Sequence, residues 1–397
     1  MLESIYIGMT GLSGYSKGLR VIANNTANMN TPGFKSSTMQ FSNLFYSQGG
    51  QTNGFSYGNN QFGFGLNANG ASLNFKAGEL RQTGNDLDLA LNGQGMFVLK
   101  DAAGQLHFTR AGQFQFNNQG ILVDRTTGNK VMTFDNNGVL TETNISSLKV
   151  NAGKTSTAIK FNGNLLVSEG TKTVTGITVY DSAGGQHNLS LKFTSNTNNG
   201  TTPGNWDVEL LDGTTSVGKS NIVFTNGKLD PAKAILKMTY SPAGAAAMPL
   251  DLDFSGDITS FASGNLSTIS FLSQDGYGPS TLTQTTFDNV GTMILTYANG
   301  QTVKGNKLAL GRFNTIDDVR AEGSNMFEAV DQAQWQIGVA GSGAFGEISG
   351  KMIEVSNVDL SEEFSNLIVM QRGYQASSQI ISTANDMLQE LFSMRGK

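Results

Sequence analysis

The sequence predicts a mainly β protein bracketed by two long terminal α-helices. These helices pair as a coiled-coil-like inner domain, and two nested, discontinuous β domains lie between them. Three observations carry this prediction. Residues 358–397 hold a sustained apolar pattern of helical period, and the first residues of the chain hold a shorter one. Between them run short alternating segments punctuated by turn dipeptides, Asn-Gly alone occurring eight times in 397 residues. That frequency suits stacked hairpins and not an α/β enzyme.

In the first helix Ile5, Met9, Leu12, Leu19 and Ala23 recur at steps of three, four or seven, with Ser16 between them. Gly8, Gly11, Gly14 and Gly18 interrupt the same stretch, each costing about 1 kcal/mol of helix stability relative to alanine. The segment is therefore expected to order only when packed, its glycines forming a smooth stripe for a partner helix. The alternative is neutral substitution on a short surface helix. The helix fades in the run from Ile22 through Asn24, Asn25, Asn28 and Asn30 to Thr31-Pro32-Gly33-Phe34-Lys35. Asparagines there compete for backbone bonds, and Pro-Gly imposes a turn.

Residues 47–70 are rich in Gly, Asn and Gln without periodicity, which reads as an extended linker. Its aromatics, Tyr46, Phe55, Tyr57, Phe62 and Phe64, are available to neighbouring molecules. From Ala71 strand signals take over. Asp86 to Leu91 alternates, Asn92-Gly93 reads as a type I′ turn, and Met96 to Leu99 reads as a buried strand. A second β region from about 150 to 285 turns at Asn162-Gly163, Gly184-Gly185, Asn199-Gly200 and Asn226-Gly227, with a hairpin from Gly176–Ser182 and His187–Phe193.

The final helix opens at Asp359, three residues before Glu362, a spacing that lets the two cap free N–H groups reciprocally. Leu360, Phe364, Leu367, Tyr374, Ile381, Leu388 and Phe392 then recur along one face, flanked by Met370, Ile380, Ala384, Met387 and Leu391. Only Gly373 breaks the run before Gly396, so the rod is roughly 55 Å long. A helix of that length cannot bury its stripe alone, and the first helix is the one candidate partner. Either the pair completes a single domain's core, or it is an assembly device.

The run Asn24-Asn25-Thr26-Ala27-Asn28-Met29-Asn30-Thr31-Pro32-Gly33-Phe34-Lys35 resembles the signature of the bacterial flagellar rod and hook family of axial proteins. So do Leu91–Val98, Phe108–Phe114 and Gln371-Arg372-Gly373-Tyr374. The hairpin after Gly176 and the run Leu272–Pro279 resemble hook-type members, since rod-type members lack that outer domain. The resemblance implies a self-polymerising tube, a flexible joint carrying motor torque, with the terminal helices inside and the middle of the chain outside. It implies an inner domain from 1–70 and 350–397, a β domain from 71–146 and 286–349, and an outer β domain from 147–285. It further implies packing through Ile5, Met9, Leu12, Leu19, Ile22, Asn24, Asn25, Asn28, Asn30, Gly33, Phe34, Leu360, Phe364, Leu367, Tyr374, Ile381, Leu388 and Leu391. The partners it implies are further copies of the chain, a distal rod protein, a hook cap protein and a hook-filament junction protein. The location it implies is outside the cell surface, reached through the flagellar export apparatus. A distal rod subunit and a β-rich adhesin are the alternatives.

Composition narrows the rest. There is no cysteine, which excludes disulfides, thiolate metal sites and a lysine–cysteine cross-link between subunits. With 14% charged residues and a net charge of -5, neither a nucleic-acid surface nor a polybasic membrane surface is expected. No basic n-region followed by a long apolar core opens the sequence, and no run of about eighteen apolar residues spans a membrane. Two histidines stand far from any nucleophile, and no phosphate loop or metal-ligand spacing occurs. Carboxylate pairs such as Asp86 with Asp88, or Glu362 with Glu363, could be cast as acid and base, but the second pair suits a helix N-terminus. No catalytic residue, cofactor or metal is expected.

Overall fold

The computed structural model describes residues 2–48, 61–196, 204–262, 264–315, 319–330 and 335–395. The chain forms two units. The first comprises Met1–Ser146, Thr285–Leu295 and Val303–Lys397, and the second Ser147–Gln284 and Thr296–Thr302.

In the first unit, α1 (Leu2–Ala27) and α2 (Leu360–Arg395) pack against each other. Asp359 starts α2, its Oδ1 accepting from the N–H groups of Ser361 at 2.8 Å and Glu362 at 3.2 Å. The reciprocal bond from the Glu362 side chain is not among those of the described residues. The described residues within 47–70, namely 47–48 and 61–70, depart from the linker reading, and 49–60 lie outside the described residues. Ser37–Asn43 pairs antiparallel with Leu66–Leu73, and Tyr46–Gln48 with Gln61–Gly63. Apolar alternation is weak there because α1, and not a second sheet, covers it. Leu66 fills the space beside Gly14, Tyr15 meets Phe41 at 6.1 Å between ring centres, and the Leu66 N–H donates to Thr10 Oγ1. Phe55 and Tyr57 lie outside the described residues, as do Asn199-Gly200 and Gly396.

The β part of this unit is stitched from outgoing and returning chain. Leu80–Gln82 pairs with Met352–Glu354, and Leu89–Asn92 with Glu347–Gly350. Asn92-Gly93 therefore closes no hairpin between its flanking strands. Gly93 has φ +113°, away from a type I′ turn, because its Cα must let Gly346 pass: a Cβ there would lie 2.9 Å from the Gly346 Cα. Met96–Lys100 instead pairs with Leu106–Thr109 and Lys130–Phe134. The inward side chains Leu89, Phe97, Leu99, Phe114 and Leu122 are fully buried, and Phe97 meets Phe114 edge-on at 5.1 Å.

In the second unit Thr171–Tyr180, Gln186–Ser195, Asn205–Asp212 and Thr215–Thr225 form consecutive antiparallel neighbours. The hairpin expected after Gly176 is the first of these pairs. Asn226, at φ +53°, and Gly227 make the tight turn that joins Thr215–Thr225 to Lys228–Leu229. Hairpins do not account for the whole sheet, since Ala158–Asn164 runs parallel to Met248–Asp253. Asp275, just past Ser270–Gln274, ties that strand to the start of its antiparallel neighbour Ala158–Asn164. Its carboxylate accepts from the N–H groups of Thr157 and Ala158, the Thr157 hydroxyl and Lys154 Nζ, all within 2.9 Å. Partial burial pushes this carboxyl up, but these donors outweigh it and hold Asp275 well below the usual carboxylate range. Trp206, Phe161, Phe193 and Phe254 fill the core, with Phe161 stacked on Phe254 at 5.0 Å.

Candidate assembly interface

The helix pair is closed by glycines. A Cβ on Gly8 would meet Ile381 Cγ1 at 2.8 Å, one on Gly11 would meet Ser377 Oγ at 2.6 Å, and one on Gly18 would meet Met370 Sδ at 2.9 Å. Tyr15 reaches across to Gly373, where a Cβ would lie 2.5 Å from the ring. The pairing runs antiparallel, Gly8 opposite Ile381 and Asn25 opposite Glu363. On α2 the inward stripe is Glu363, Leu367, Met370, Ser377, Ile381, Ala384 and Leu388.

The eighteen expected packing residues therefore divide. Ile22 and Asn25 are buried at the seam, and Ile5, Leu12, Leu19, Leu367, Ile381 and Leu388 are half-buried. Met9, Leu360, Phe364, Tyr374 and Leu391 are exposed, as are Ile368, Val369 and Phe392. Exposure reaches 51% at Phe364, 58% at Ile368, 62% at Val369 and 66% at Phe392. Part of the apolar seam read from the sequence, Leu367, Ile381 and Leu388, therefore faces α1. On α1 the surface that meets it is the glycine stripe, because only residues without a Cβ allow this approach, while Phe364, Ile368 and Val369 of α2 are left on the outside.

The asparagine run ties the end of α1 to its surroundings. Asn25 Nδ2 donates to Ser37 O at 2.8 Å and Glu363 Oε1 at 2.7 Å, while its Oδ1 accepts from the Ser37 N–H. Asn28 Nδ2 donates to Asn24 O and accepts at Oδ1 from Thr31, which holds the last turn closed. Asn30 is exposed and Phe34 half-buried. Gly33, at φ +72°, lies where a Cβ would come within 2.4 Å of the Ala111 N, so the arm lies flat against the β strands.

Burial pushes the Glu363 carboxyl up, against the bond from Asn25, and the charge on Glu362 adds to the rise. A raised folded-state pKa means the protonated form is favoured in the paired state. Its stabilising contribution is full below about pH 4.3, the ordinary glutamate value, and is lost as pH rises through the folded value. The helix pair is accordingly expected to melt at a higher temperature near about pH 5 than near neutrality. Thermal circular dichroism of the wild type and Glu363→Gln checks this, the variant losing the pH difference; an equal difference in both would remove Glu363 from the account.

Sequence reasoning missed the residue that anchors both helix roots, Glu354. It is fully buried and bonded to Lys35 and Arg110. The available signal was a carboxylate inside an apolar strand, Met352-Ile353-Glu354-Val355.

Comparison with known proteins gives this arrangement a context. Four family models match in succession: the flagella basal body rod protein model over residues 5–35, the flagellar hook protein FlgE/F/G D1 domain over 90–167, the flagellar basal body protein FlaE D2 domain over 155–277, and the flagellar basal body rod FlgEFG protein C-terminal model over 349–394. The flagellar hook protein FlgE of Escherichia coli (strain K12) is 30% identical over 98% of both chains. The chain belongs to the flagellar hook protein family. The flagellar hook protein FlgE of Borreliella burgdorferi is 28% identical, with the full length of both chains aligned. In fold, the chain is similar to the crystal structure of Helicobacter pylori flagellar hook protein FlgE2, at a TM-score of 0.51 and 13% identity over 69% of this chain and 100% of that one. The family's members are structural flagellar components, and the two end models fall on the helices that form the pair.

Proposed function

We propose that this chain is the repeating subunit of the flagellar hook, and that its helix pair is the device by which copies join. The observation that carries this reading is the set of large apolar side chains left exposed along α2, among them Phe364, Ile368, Val369 and Phe392. Identical subunits that bury such faces head to tail build an open helical tube when the rotation between them does not close. The nested order of inner helices (1–70 and 350–397), first β domain (71–146 and 286–349) and outer β domain (147–285) belongs to this reading. It is supported by strands near both ends of the chain pairing with each other. A tube of flexible joints passing torque from rod to filament meets a distal rod protein at one end and cap and junction proteins at the other. Delivery through the flagellar export apparatus belongs to the same reading. A purely structural role is supported by the family's character and by a buried polar network that serves packing.

The test replaces Phe364 and Ile368 together by Asp in the full chain. Both side chains are outward and exposed, so the monomer is expected to keep its helicity. Losing two buried apolar side chains at the contact, at about 1.5–3 kcal/mol each, raises the critical concentration for tube formation by at least about 100-fold. Electron microscopy and sedimentation read the result, and tubes forming at the native concentration would overturn the reading.

A further inference from the structure

Lys35, Arg110 and Glu354, from three distant stretches of the first unit, meet out of reach of solvent. Glu354 Oε1 accepts from Lys35 Nζ at 2.5 Å and from the Gly78 N–H at 2.8 Å, and Oε2 accepts from Arg110 NH1 at 3.2 Å. The backbone of Glu354 takes part as well, its carbonyl accepting from the Gly33 N–H at 2.8 Å. Lys35 donates to the carbonyl of Lys76, and Arg110 to those of Leu91 and Gly93. Two cations share one carboxylate. Burial pushes the Lys35 ammonium below its ordinary range, against the pull of Glu354. Removing the single anion strands both cations in a dry site, which is among the most destabilising changes a folded protein can suffer.

The placement of these residues gives the cluster a consequence. Lys35 follows α1 by a few residues, and Glu354 precedes α2 by a few. The Gly33 N–H and the Lys35 ammonium both bond to Glu354, and beside them Asn357 accepts from the Ser36 N–H and donates its own N–H to the Phe34 carbonyl, so the arm is tied to the returning chain chiefly through this one short stretch. We propose that Glu354 is a closure lock, so that the arm behind α1 docks onto the β strands only when the strand ahead of α2 has docked, and the two helix roots seat together or not at all. This rests on the reading of the helix pair as the assembly device, since the lock decides when that pair is presented. A chain whose last stretch has not yet arrived keeps α1 on its own strand pair but leaves the arm behind it unlocked from the β strands.

The test is lysine footprinting of the unpolymerised full-length protein with an acetylating reagent, read by mass spectrometry at Lys35 relative to exposed Lys76. In the native chain Lys35 is expected to react at least about 100-fold more slowly than Lys76, as a fully buried amine does. In Glu354→Gln it is expected to approach the rate of Lys76. Arg110→Met leaves one cation with one carboxylate and is expected to keep Lys35 protected. Hydrogen exchange at residues 96–100 reports on the strands themselves and is expected to stay slow in both variants. Protection of Lys35 in Glu354→Gln overturns the lock. So does release of Lys35 by Arg110→Met, or collapse of protection at 96–100 together with 33–36, since each means a general loss of packing. No polymer is involved in the measurement, so its outcome is separate from whether α1 and α2 build a tube.

Discussion

Leucine in place of Gly11 is expected to abolish polymerisation and to leave α1 unpaired. A Cβ at this position already falls 2.6 Å from Ser377 Oγ and 3.4 Å from Ser377 Cβ. Ser377 is short and buried, so it has no flexible end to swing aside. Overpacking a closed contact costs about 1–3 kcal/mol, and here the rest of the leucine must follow the Cβ into the seam. The substitution removes one glycine, but the helix that absorbs the clash still carries three at about 1 kcal/mol each, so its margin against unfolding stays small. Gly18→Ala is the control. Its Cβ meets Met370 at the sulfur, on a thioether that can rotate away, so this variant is expected to polymerise as the native chain does. Sedimentation and far-ultraviolet circular dichroism check both, and native tubes from Gly11→Leu would refute the glycine seam.

Trp206→Ala is expected to destabilise the second unit by about 3–5 kcal/mol, the range for emptying a large aromatic site in a closed core. Trp206 is fully buried among the residues that fill the unit, and its Nε1 donates to Ser260 Oγ at 3.2 Å, whose hydroxyl passes the chain of bonds on to Leu165 O. The truncation therefore opens a cavity and also breaks a buried bond. Trp206→Phe keeps most of the apolar volume and is expected to cost clearly less. Urea unfolding followed by circular dichroism measures the change. The helical signal from α1 and α2 serves as an internal reference, because both helices belong to the other unit. A loss below about 1 kcal/mol would mean that the core closes over the gap.

How much of this was legible in the sequence depends on the range of the interaction involved. The long C-terminal helix, its Asp359 cap and its end near residue 395 follow from periodicity and local capping, which operate over four residues or fewer. The glycine stripe of α1 was legible too, as a surface awaiting a partner. Which side of α2 it would meet was not. Leu367 and Phe364 differ by three residues and are equally apolar, yet one turns toward α1 and the other toward solvent. Asn92-Gly93 carried a strong turn signal that tertiary pairing overrode, since Leu89–Asn92 found its partner at Glu347–Gly350. The 47–70 segment looked shapeless because its strands borrow their cover from α1.

By itself, the sequence determined the fold class, the two terminal helices, the hairpin-rich middle and the family to which the chain belongs, through patterns that are local or that recur as runs. Tertiary structure alone decided the rest. It set the glycine stripe of α1 against Leu367, Ile381 and Leu388 of α2, left Phe364, Ile368 and Val369 facing outward, and brought Lys35, Arg110 and Glu354 to one dry point. The physical reason is separation along the chain. A buried charge needs its counterion within a few ångströms, and no local pattern records that the counterion of Lys35 stands 319 residues away.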